Sequence, residues 1–314
     1  MTLKLRELSL KPDLFGTGHG LCAGCAESIS VRQILSALEN PPVVALATGC
    51  LEVSTTRFPD TTWKVPVIHS AFENSATTIS GVEAAYKALV RKGRMEDRPI
   101  TFVVFAGDGA TYDIGFQWLS GALERGHKFI YICLNNEGYM NTGIQRSSAT
   151  LLGAWTTTTP SGGVRPGKTE WHKDMTKIIA AHGIPYVAQA ASHNWKDLMT
   201  KVRKAEQADG PSFINVLVPC DRGWRYEPDQ TIEVSKLMVE AGLWPLYEVV
   251  DGKWKMTGAR QKRRPVIDAL LSQKRFSHIT KNADDNVIAA IQNKVDEEWD
   301  ALQALCAMSA AAEE

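Results

Sequence analysis

The sequence predicts a doubly wound α/β domain with a mainly parallel sheet. Four short, continuous apolar runs have the length and composition of strands that are buried on both faces. Amphipathic segments with helical spacing separate these runs, and such alternation is typical of parallel strands joined by crossover helices. Polar and cysteine residues follow directly after the runs, at the edge of the sheet where ligands bind in open α/β folds.

The predicted elements follow one another regularly over the first two-thirds of the 314 residues. We predict strands over residues 42–47, 101–106, 129–134 and 211–218, and helices over 27–38, 70–91, 114–124, 174–182 and 195–207. Residues 221–314 differ: they contain a basic stretch from Arg260 to Arg264 and a predicted amphipathic helix over 285–307. The basic stretch fits a solvated loop as well as a contact surface. We therefore expect an α/β domain over 1–220 and a C-terminal extension over 221–314 that packs on partner subunits.

Composition narrows the class of protein. The formal net charge is +0 and the pI is about 7.0, which indicates no long-range attraction to nucleic acid or to an anionic membrane. Residues 1–11 alternate charged residues with leucine and lack the apolar core of a signal peptide. No run approaches the eighteen or so apolar residues of a membrane span. We expect a cytoplasmic protein that meets small ligands and protein partners, with neither nucleic acid nor membrane among them.

Two turns after neighbouring strands suggest a phosphate and metal site. Gly107-Asp108-Gly109 follows one apolar run, and Asn135-Asn136 follows the next, with space for one crossover helix between them. Carboxylate, amide and carbonyl oxygens suit Mg²⁺, and glycine lets the backbone approach phosphates closely. Gly-Asp-Gly alone is more often an ordinary turn. The combination of both turns resembles the thiamine diphosphate motif of transketolases, decarboxylases and 2-oxoacid oxidoreductases.

Four of the six cysteines form a second pattern. Cys22 and Cys25 share one tight CAGC turn, whereas Cys50 and Cys220 each follow the end of a predicted strand. Four thiolates at one sheet edge could ligate a [4Fe–4S] cluster or a tetrahedral zinc ion. A redox-active CxxC pair, or four unrelated buried cysteines, are the alternatives. Cys133 lies within an apolar run, so we expect it in the core; Cys306, in the C-terminal helix, is expected to contribute only packing.

Longer stretches resemble the 2-oxoacid:ferredoxin oxidoreductases, in particular beta subunits of the multi-subunit pyruvate type. The matching stretches are LCAGCAES (21–28), ATGCLEVSTTRFP (47–59), IHSAFENSA (68–76), GDGATYDIGFQWLSGALERGH (107–127), NNEGYMNTGIQRSSAT (135–150), VPCDRGWRY (218–226) and LWPLYEVVDGKWK (243–255). They run in order through most of the chain. Two positions depart from the family pattern: Ala26 stands where glycine is usual, and Asn135 stands where many members carry aspartate.

The resemblance implies thiamine diphosphate, Mg²⁺ and one [4Fe–4S] cluster as cofactors of this chain. It implies Cys22, Cys25, Cys50 and Cys220 as cluster ligands. It implies Asp108, Asn136 and Gly138 as Mg²⁺ ligands. The cofactor-binding residues that it implies are Glu27, Cys50, Gly107, Asp108, Gly109, Ala110, Asn136, Glu137, Gly138, Tyr139, Met140 and Asn141.

Two of these residues, Glu27 and Asn141, are implied to act in catalysis, with Asn141 facing the reacting carbon. The ordinary alternatives are a first-turn helix residue for Glu27 and a turn residue for Asn141. The implied reaction is oxidative decarboxylation of a small 2-oxoacid, with single electrons passing through the cluster to ferredoxin. The CAGCAES variant favours oxalate as substrate, with pyruvate, converted to acetyl-CoA, as the alternative.

The resemblance also implies that the chain acts only within a complex. An alpha-type subunit would supply the carboxylate that activates thiamine, the substrate-binding arginines and any coenzyme A site. Gamma- or delta-type subunits would carry the remaining clusters, since the sequence has no tandem CxxCxxCxxxCP run. Two alternatives remain open: a non-redox thiamine enzyme subunit with structural zinc, and a non-catalytic electron-transfer or assembly subunit that binds a cluster but no diphosphate.

Overall fold

A computed structural model describes residues 3–162, 166–258, 264–281 and 285–312. The strands of the sheet are β1 Pro42–Ala47, β2 Val67–Ser70, β3 Thr101–Gly107, β4 Ile130–Asn135, β5 Tyr186–Ala191, β6 Ser212–Leu217, β7 Tyr247–Val250 and β8 Lys253–Met256. The α-helices are α1 Leu5–Leu8, α2 Ala26–Ala37, α3 Cys50–Thr55, α4 Ser75–Arg91, α5 Phe116–Glu124, α6 Met175–Ala180, α7 Trp195–Gln207, α8 Asp221–Trp224, α9 Thr231–Glu240, α10 Val266–Leu271, α11 Ser277–Thr280 and α12 Asp285–Ala311. A π-helical turn spans Gly109–Ile114, and 3₁₀ turns span Pro228–Gln230 and Lys274–Phe276.

The strands form one sheet in the order β2-β1-β3-β4-β6-β5-β7-β8. The pairs from β2 through β5 are parallel, whereas β5–β7 and β7–β8 are antiparallel. The prediction of a doubly wound, mainly parallel α/β fold is confirmed. Because β1, β3, β4 and β6 run in the same direction, the segments that follow them meet at one edge of the sheet. Those segments carry Cys50, Asp108, Asn136 and Cys220.

Hydrophobic layers cover both faces of the sheet. In β3, Val103 and Phe105 face one layer, which contains residues of α2 and α7. Their neighbours Phe102 and Val104 face the other, which contains residues of α4, α5 and α6. This two-sided burial explains why the central strands are continuous apolar runs without alternation. Cys133 of β4 is fully buried in the second layer, as expected for a core residue.

Four strands lack a sequence signal strong enough to predict them. β2 has only four residues and lies at the edge of the sheet, so its sequence VIHS gives no apolar run. β5 reads YVAQAA, in which alanine and glutamine have low strand propensity. The hairpin of β7 and β8 turns at Asp251-Gly252, where both residues have positive φ. The predicted helix over 70–91 starts only at Ser75, because residues 67–70 form β2.

Residues beyond 220 contribute to the fold of this chain. β7 and β8 extend the sheet, and a third hydrophobic cluster joins α9, α10 and α12 to Leu151, Ala154, Ala191 and Leu217. In α12, Ile291, Val295 and Leu302 are each buried to 2% exposure or less against the same chain. The apolar face that predicted a partner interface is therefore used locally. The division at residue 220 and the packing of this extension on partners remain predictions.

The basic stretch and the expected absence of a membrane span can be compared with the structure only over the described residues. Residues 260–263 of the basic stretch lie outside the described residues. Across the described ranges, no helix is long and apolar enough to span a bilayer.

Candidate functional site

A cleft opens at the carboxyl edge of the sheet, beside the adjacent strands β1, β3 and β4. Its lining combines the turn after β1 with those after β3 and β4 and the first turn of α2. Nine of the residues implied as cofactor-binding line it: Glu27, Cys50, Gly107, Gly109, Asn136, Gly138, Tyr139, Met140 and Asn141. The other three, Asp108, Ala110 and Glu137, are buried directly behind the lining. Asn141 is exposed at the mouth of the cleft.

Several lining residues were not among those that the resemblance implied. The apolar ones come from strand ends, from the first turn of α3 and from the loop after β2: Ala47, Leu51, Phe72, Phe105, Ala106 and Leu134. Thr48, Gly49 and Thr142 complete the set. Thr48 and Gly49 follow β1 directly, so the rule that ligands bind beyond strand ends could have found them. Phe72 could not be found, since β2 was not predicted.

Asp108 is fully buried beneath the cleft. Its Oδ1 accepts from the Asn136 backbone N–H at 3.3 Å, and its Oδ2 accepts from the Ser147 hydroxyl. Both of these donors are neutral. Burial raises the pKa of Asp108 to about 7, although these hydrogen bonds oppose the rise. A buried carboxylate with neutral partners is well suited to receive a cation.

Asn136 and Glu27 meet across the cleft. The Asn136 Nδ2 donates to Glu27 Oε1 at 3.2 Å. Asn136 Oδ1 and Glu27 Oε2 are buried and have no hydrogen-bond partner among the described residues. Burial also raises the pKa of Glu27 to about 7. Buried acceptors without partners are rare in folded proteins, so a bound cation or donor group would satisfy them.

Glycines shape the space near these acceptors. A Cβ on Gly109 would collide with the Tyr139 ring, whose hydroxyl donates to the Gly109 carbonyl at 3.1 Å. A Cβ on Gly138 would come within 3.1 Å of the Gln145 carbonyl oxygen. Any larger residue at Gly109 would therefore displace the Tyr139 ring at the cleft wall.

The turn that carries Asn136 has an unusual backbone. Glu137 has φ +62°, a left-handed conformation that costs non-glycine residues roughly 1–2 kcal/mol. The Asn135 side chain holds this turn: its Oδ1 accepts from the Glu137 N–H at 2.9 Å, while its Nδ2 donates to the Tyr112 hydroxyl at 2.9 Å. An asparagine side chain can both accept and donate, so Asn135, where many family members carry aspartate, can form both of these hydrogen bonds.

The four candidate cluster cysteines come from three segments near the cleft. Cys25 precedes α2, Cys50 begins α3 and Cys220 precedes α8, whereas Cys22 is exposed on the CAGC turn. Burial raises the pKa of Cys50, and the Cys220, Cys25 and Cys22 thiols raise it further. Burial likewise raises the pKa of Cys220 to about 11. The Cys50 thiol therefore lies near the other three cysteines.

These cysteines do not form a single-ion site. Over the described residues, no group of three or more His, Cys, Asp or Glu side chains is arranged to hold one metal ion. The CAGC turn that carries Cys22 and Cys25 is held by residues from the C-terminal part of the chain. The Thr231 hydroxyl donates to the Gly24 carbonyl at 2.6 Å, and Gly24, with φ +76°, leaves no space for a Cβ against Pro228. The segment after Cys220 therefore packs directly on the turn that carries Cys22 and Cys25.

Comparison with known proteins gives the family. Residues 47–216, more than half of the chain, match the thiamine pyrophosphate enzyme, C-terminal TPP binding domain. The chain is 51% identical to pyruvate synthase subunit PorB of Methanocaldococcus jannaschii, over 91% of this chain and 95% of that protein. This chain belongs to the beta subunits of the 2-oxoacid:ferredoxin oxidoreductases. It is thus a thiamine pyrophosphate-dependent oxidoreductase subunit.

Other relatives of this beta subunit agree with that assignment. It is 48% identical to PorB of Thermotoga maritima, over 92% of this chain and 90% of that protein. It is 41% identical to ketoisovalerate oxidoreductase subunit VorB of Pyrococcus abyssi, with 93% of both chains covered. A 2-oxoglutarate:ferredoxin oxidoreductase from Magnetococcus marinus has the same fold, with a TM-score of 0.55 and 19% identity over 72% of this chain and 80% of that one.

Proposed function

We propose that this chain is the thiamine diphosphate-binding subunit of a pyruvate:ferredoxin oxidoreductase. From the CAGCAES variant we expected oxalate as the substrate. The named relatives of high identity are pyruvate synthase subunits, and this favours pyruvate instead. The overall reaction oxidises pyruvate, with coenzyme A, to acetyl-CoA and CO₂, and two single electrons reduce ferredoxin. Bound thiamine diphosphate supplies the nucleophilic carbon and the electron sink for decarboxylation.

The observation that carries this proposal is the pair of unpartnered buried acceptors beside a buried carboxylate. Asp108, Asn136 and the Gly138 carbonyl would hold Mg²⁺, and the ion would neutralise both Asp108 and the diphosphate. Asn136 Oδ1 has no protein partner among the described residues, as a metal ligand requires. Gly107, Gly109 and Gly138 line the cleft, and glycine lets the backbone there come close to phosphate oxygens.

The other lining residues would orient the cofactor and substrate. Glu27 and Cys50 line the inner part of the cleft and would contact thiamine, while Tyr139 and Met140 would pack against it. Asn141, exposed at the mouth, would donate a hydrogen bond to the substrate near the reacting carbon. A subunit of the alpha type would close this mouth and supply the activating carboxylate.

We assign a [4Fe–4S] cluster to Cys22, Cys25, Cys50 and Cys220. In such a cluster each cysteine binds a different iron, so the sulfurs lie farther apart than around a single ion. The proximity of Cys50 to the other three cysteines supports one shared site for the four thiolates. Burial and the nearby Glu27 carboxylate raise the pKa of Cys50, so its thiolate form needs a cationic centre. The cluster would accept electrons from the cleft and pass them to partner subunits and ferredoxin.

Two measurements on the anaerobically purified complex test this proposal. Metal analysis should find iron and sulfide beyond what the ferredoxin-like subunits account for, and this excess should disappear in Cys50→Ser. Reduction of viologen should depend on pyruvate and coenzyme A. Zinc in place of iron in this subunit, or equal rates with oxalate, would contradict the proposal.

A further inference from the structure

A buried arginine from the C-terminal part of the chain contacts the turn formed by Asn136, Glu137 and Gly138 (the 136–138 turn). Arg275 lies on the 3₁₀ turn Lys274–Phe276, and its Nη2 donates to Glu137 Oε2 at 2.6 Å. Both side chains are only 2% exposed. The Arg275 Nε donates to Gln273 Oε1 at 2.9 Å, which fixes the plane of the guanidinium.

The same guanidinium also contacts the 136–138 turn indirectly, through the Trp224 ring. Its central carbon lies 3.9 Å from the centroid of the Trp224 ring. The Trp224 Nε1–H donates to the Asn136 carbonyl at 2.7 Å. Arg275 therefore contacts the 136–138 turn through the Glu137 carboxylate and through the indole that binds Asn136. A planar cation can form the ion pair and the ring contact together.

The turn needs support from outside its own segment. Nearby groups hold the backbone of Glu137 and Gly138: the Glu137 N–H donates to Asn135 Oδ1, its carbonyl accepts from Thr150 Oγ1 at 2.7 Å, and the Gly138 carbonyl accepts from the Met140 N–H at 3.0 Å. Trp224 holds the Asn136 carbonyl, and Arg275 holds the Glu137 side chain. Glu27 holds the Asn136 side-chain amide directly at 3.2 Å, so a change at Arg275 would act on the backbone of the turn and through it on the position of Asn136 Oδ1, the proposed metal ligand.

We propose that Arg275 is a positioning residue for the Mg²⁺ site, a role that rests on the proposed function. It fixes the Asn136 ligand through Glu137, which lies 138 residues earlier in the chain. The C-terminal segment of residues 264–281 thereby becomes part of the cofactor site without touching the cofactor. The competing explanation is that the Arg275–Glu137 pair only stabilises the fold.

The test uses Arg275→Lys in the assembled complex. Lysine keeps the charge but lacks the planar fork, so it cannot form both contacts. The dissociation constant of Mg²⁺ at saturating thiamine diphosphate should rise on the order of tenfold. Amide hydrogen exchange in a peptide covering residues 130–146 should become faster. Lys274→Met, at a neighbour whose side chain is 69% exposed, is the matched control and should change neither quantity.

Arg275→Met combined with Glu137→Gln removes both charges and leaves no unpaired buried ion, which guards against loss of folding in the single variant. It should show the same weakening of Mg²⁺ binding. A lower thermal midpoint with unchanged Mg²⁺ affinity and unchanged exchange in either variant would overturn the positioning role. A wild-type complex that binds thiamine diphosphate without Mg²⁺ would instead refute the proposed metal site; hydrogen exchange would still decide whether Arg275 orders the turn.

Discussion

Replacement of Asp108 by asparagine should separate cofactor binding from stability. The side chain is fully buried, and its hydrogen-bond donors, Ser147 and the Asn136 amide, are neutral. In the proposed site its negative charge is balanced by Mg²⁺ alone. The substituted asparagine would be nearly the same size and could still accept from Ser147. The variant therefore removes the charge while it leaves the packing in place.

The expected loss of Mg²⁺ affinity is large. Removal of one partner from a buried ion pair costs about 3–5 kcal/mol, and about 1.4 kcal/mol corresponds to a tenfold change in affinity. The dissociation constant of Mg²⁺ should therefore rise by about 10²–10⁴-fold. Thiamine diphosphate should be lost with the metal, because the diphosphate then has no counter-charge.

Stability of the metal-free protein should change in the opposite direction. Burial raises the pKa of Asp108 to about 7, above its ordinary value of 3.8. A raised pKa means that the proton-bound form is favoured in the folded state, so stability is lost as the pH rises through about 7. Asparagine cannot ionise. At pH 8 the metal-free variant should therefore be at least as stable as the metal-free wild type.

Calorimetric titration of thiamine diphosphate with Mg²⁺, alongside thermal unfolding at pH 6 and pH 8, measures both effects. Asp174→Asn is the matched control: Asp174 caps α6, and asparagine caps helices equally well. It should bind both ligands like the wild type. Tight retention of thiamine diphosphate by Asp108→Asn would refute the assignment of Asp108 to the metal.

Three further predictions concern the cluster, the cleft wall and the C-terminal helix. Cys220→Ser should abolish or convert the cluster and its visible absorption, whereas Cys133→Ser in the core should keep the iron and lose about 1–3 kcal/mol of stability in denaturant unfolding. Gly109→Ala should displace the Tyr139 ring and weaken thiamine diphosphate binding by about 1–3 kcal/mol, measured by titration. Deletion of residues 285–314 should unfold the chain, since each buried apolar side chain lost contributes about 1.5–3 kcal/mol to stability. Circular dichroism measures this loss of structure. A truncated chain that is folded but no longer assembles would show that the helix packs on partners instead.

The central sheet could be predicted because its strands are buried on both faces. β1 and β3 begin at the predicted residues, and β4 and β6 lie within one residue of theirs. The edge strand β2, the alanine-rich β5 and the terminal hairpin lack that apolar signal. Their placement depends on pairing with distant neighbours, which a local pattern cannot reveal.

From the residues alone, the site was predictable only where a strand end fixes it, whereas Glu27 and Asn141 were implied by the family resemblance. Asp108 and Asn136 come directly after strands and Cys50 comes three residues after one, so the parallel topology alone brings them to one edge. Arg275 gave no such signal. It lies in a short 3₁₀ turn, and only the folded structure brings it to Glu137, 138 residues earlier in the chain. The backbone conformation of Glu137 was equally hidden, because a left-handed glutamate has no sequence signature.

Substrate-dependent reduction of ferredoxin by the purified complex tests the central claim most directly. Pyruvate, oxalate, 2-oxoisovalerate and 2-oxoglutarate would be compared, each with and without coenzyme A. We predict the highest kcat/KM with pyruvate, dependence on coenzyme A, and loss of the reaction in Asp108→Asn and in Cys50→Ser. Ferredoxin reduction at the wild-type rate in either variant, or faster reduction with oxalate than with pyruvate, would contradict the account.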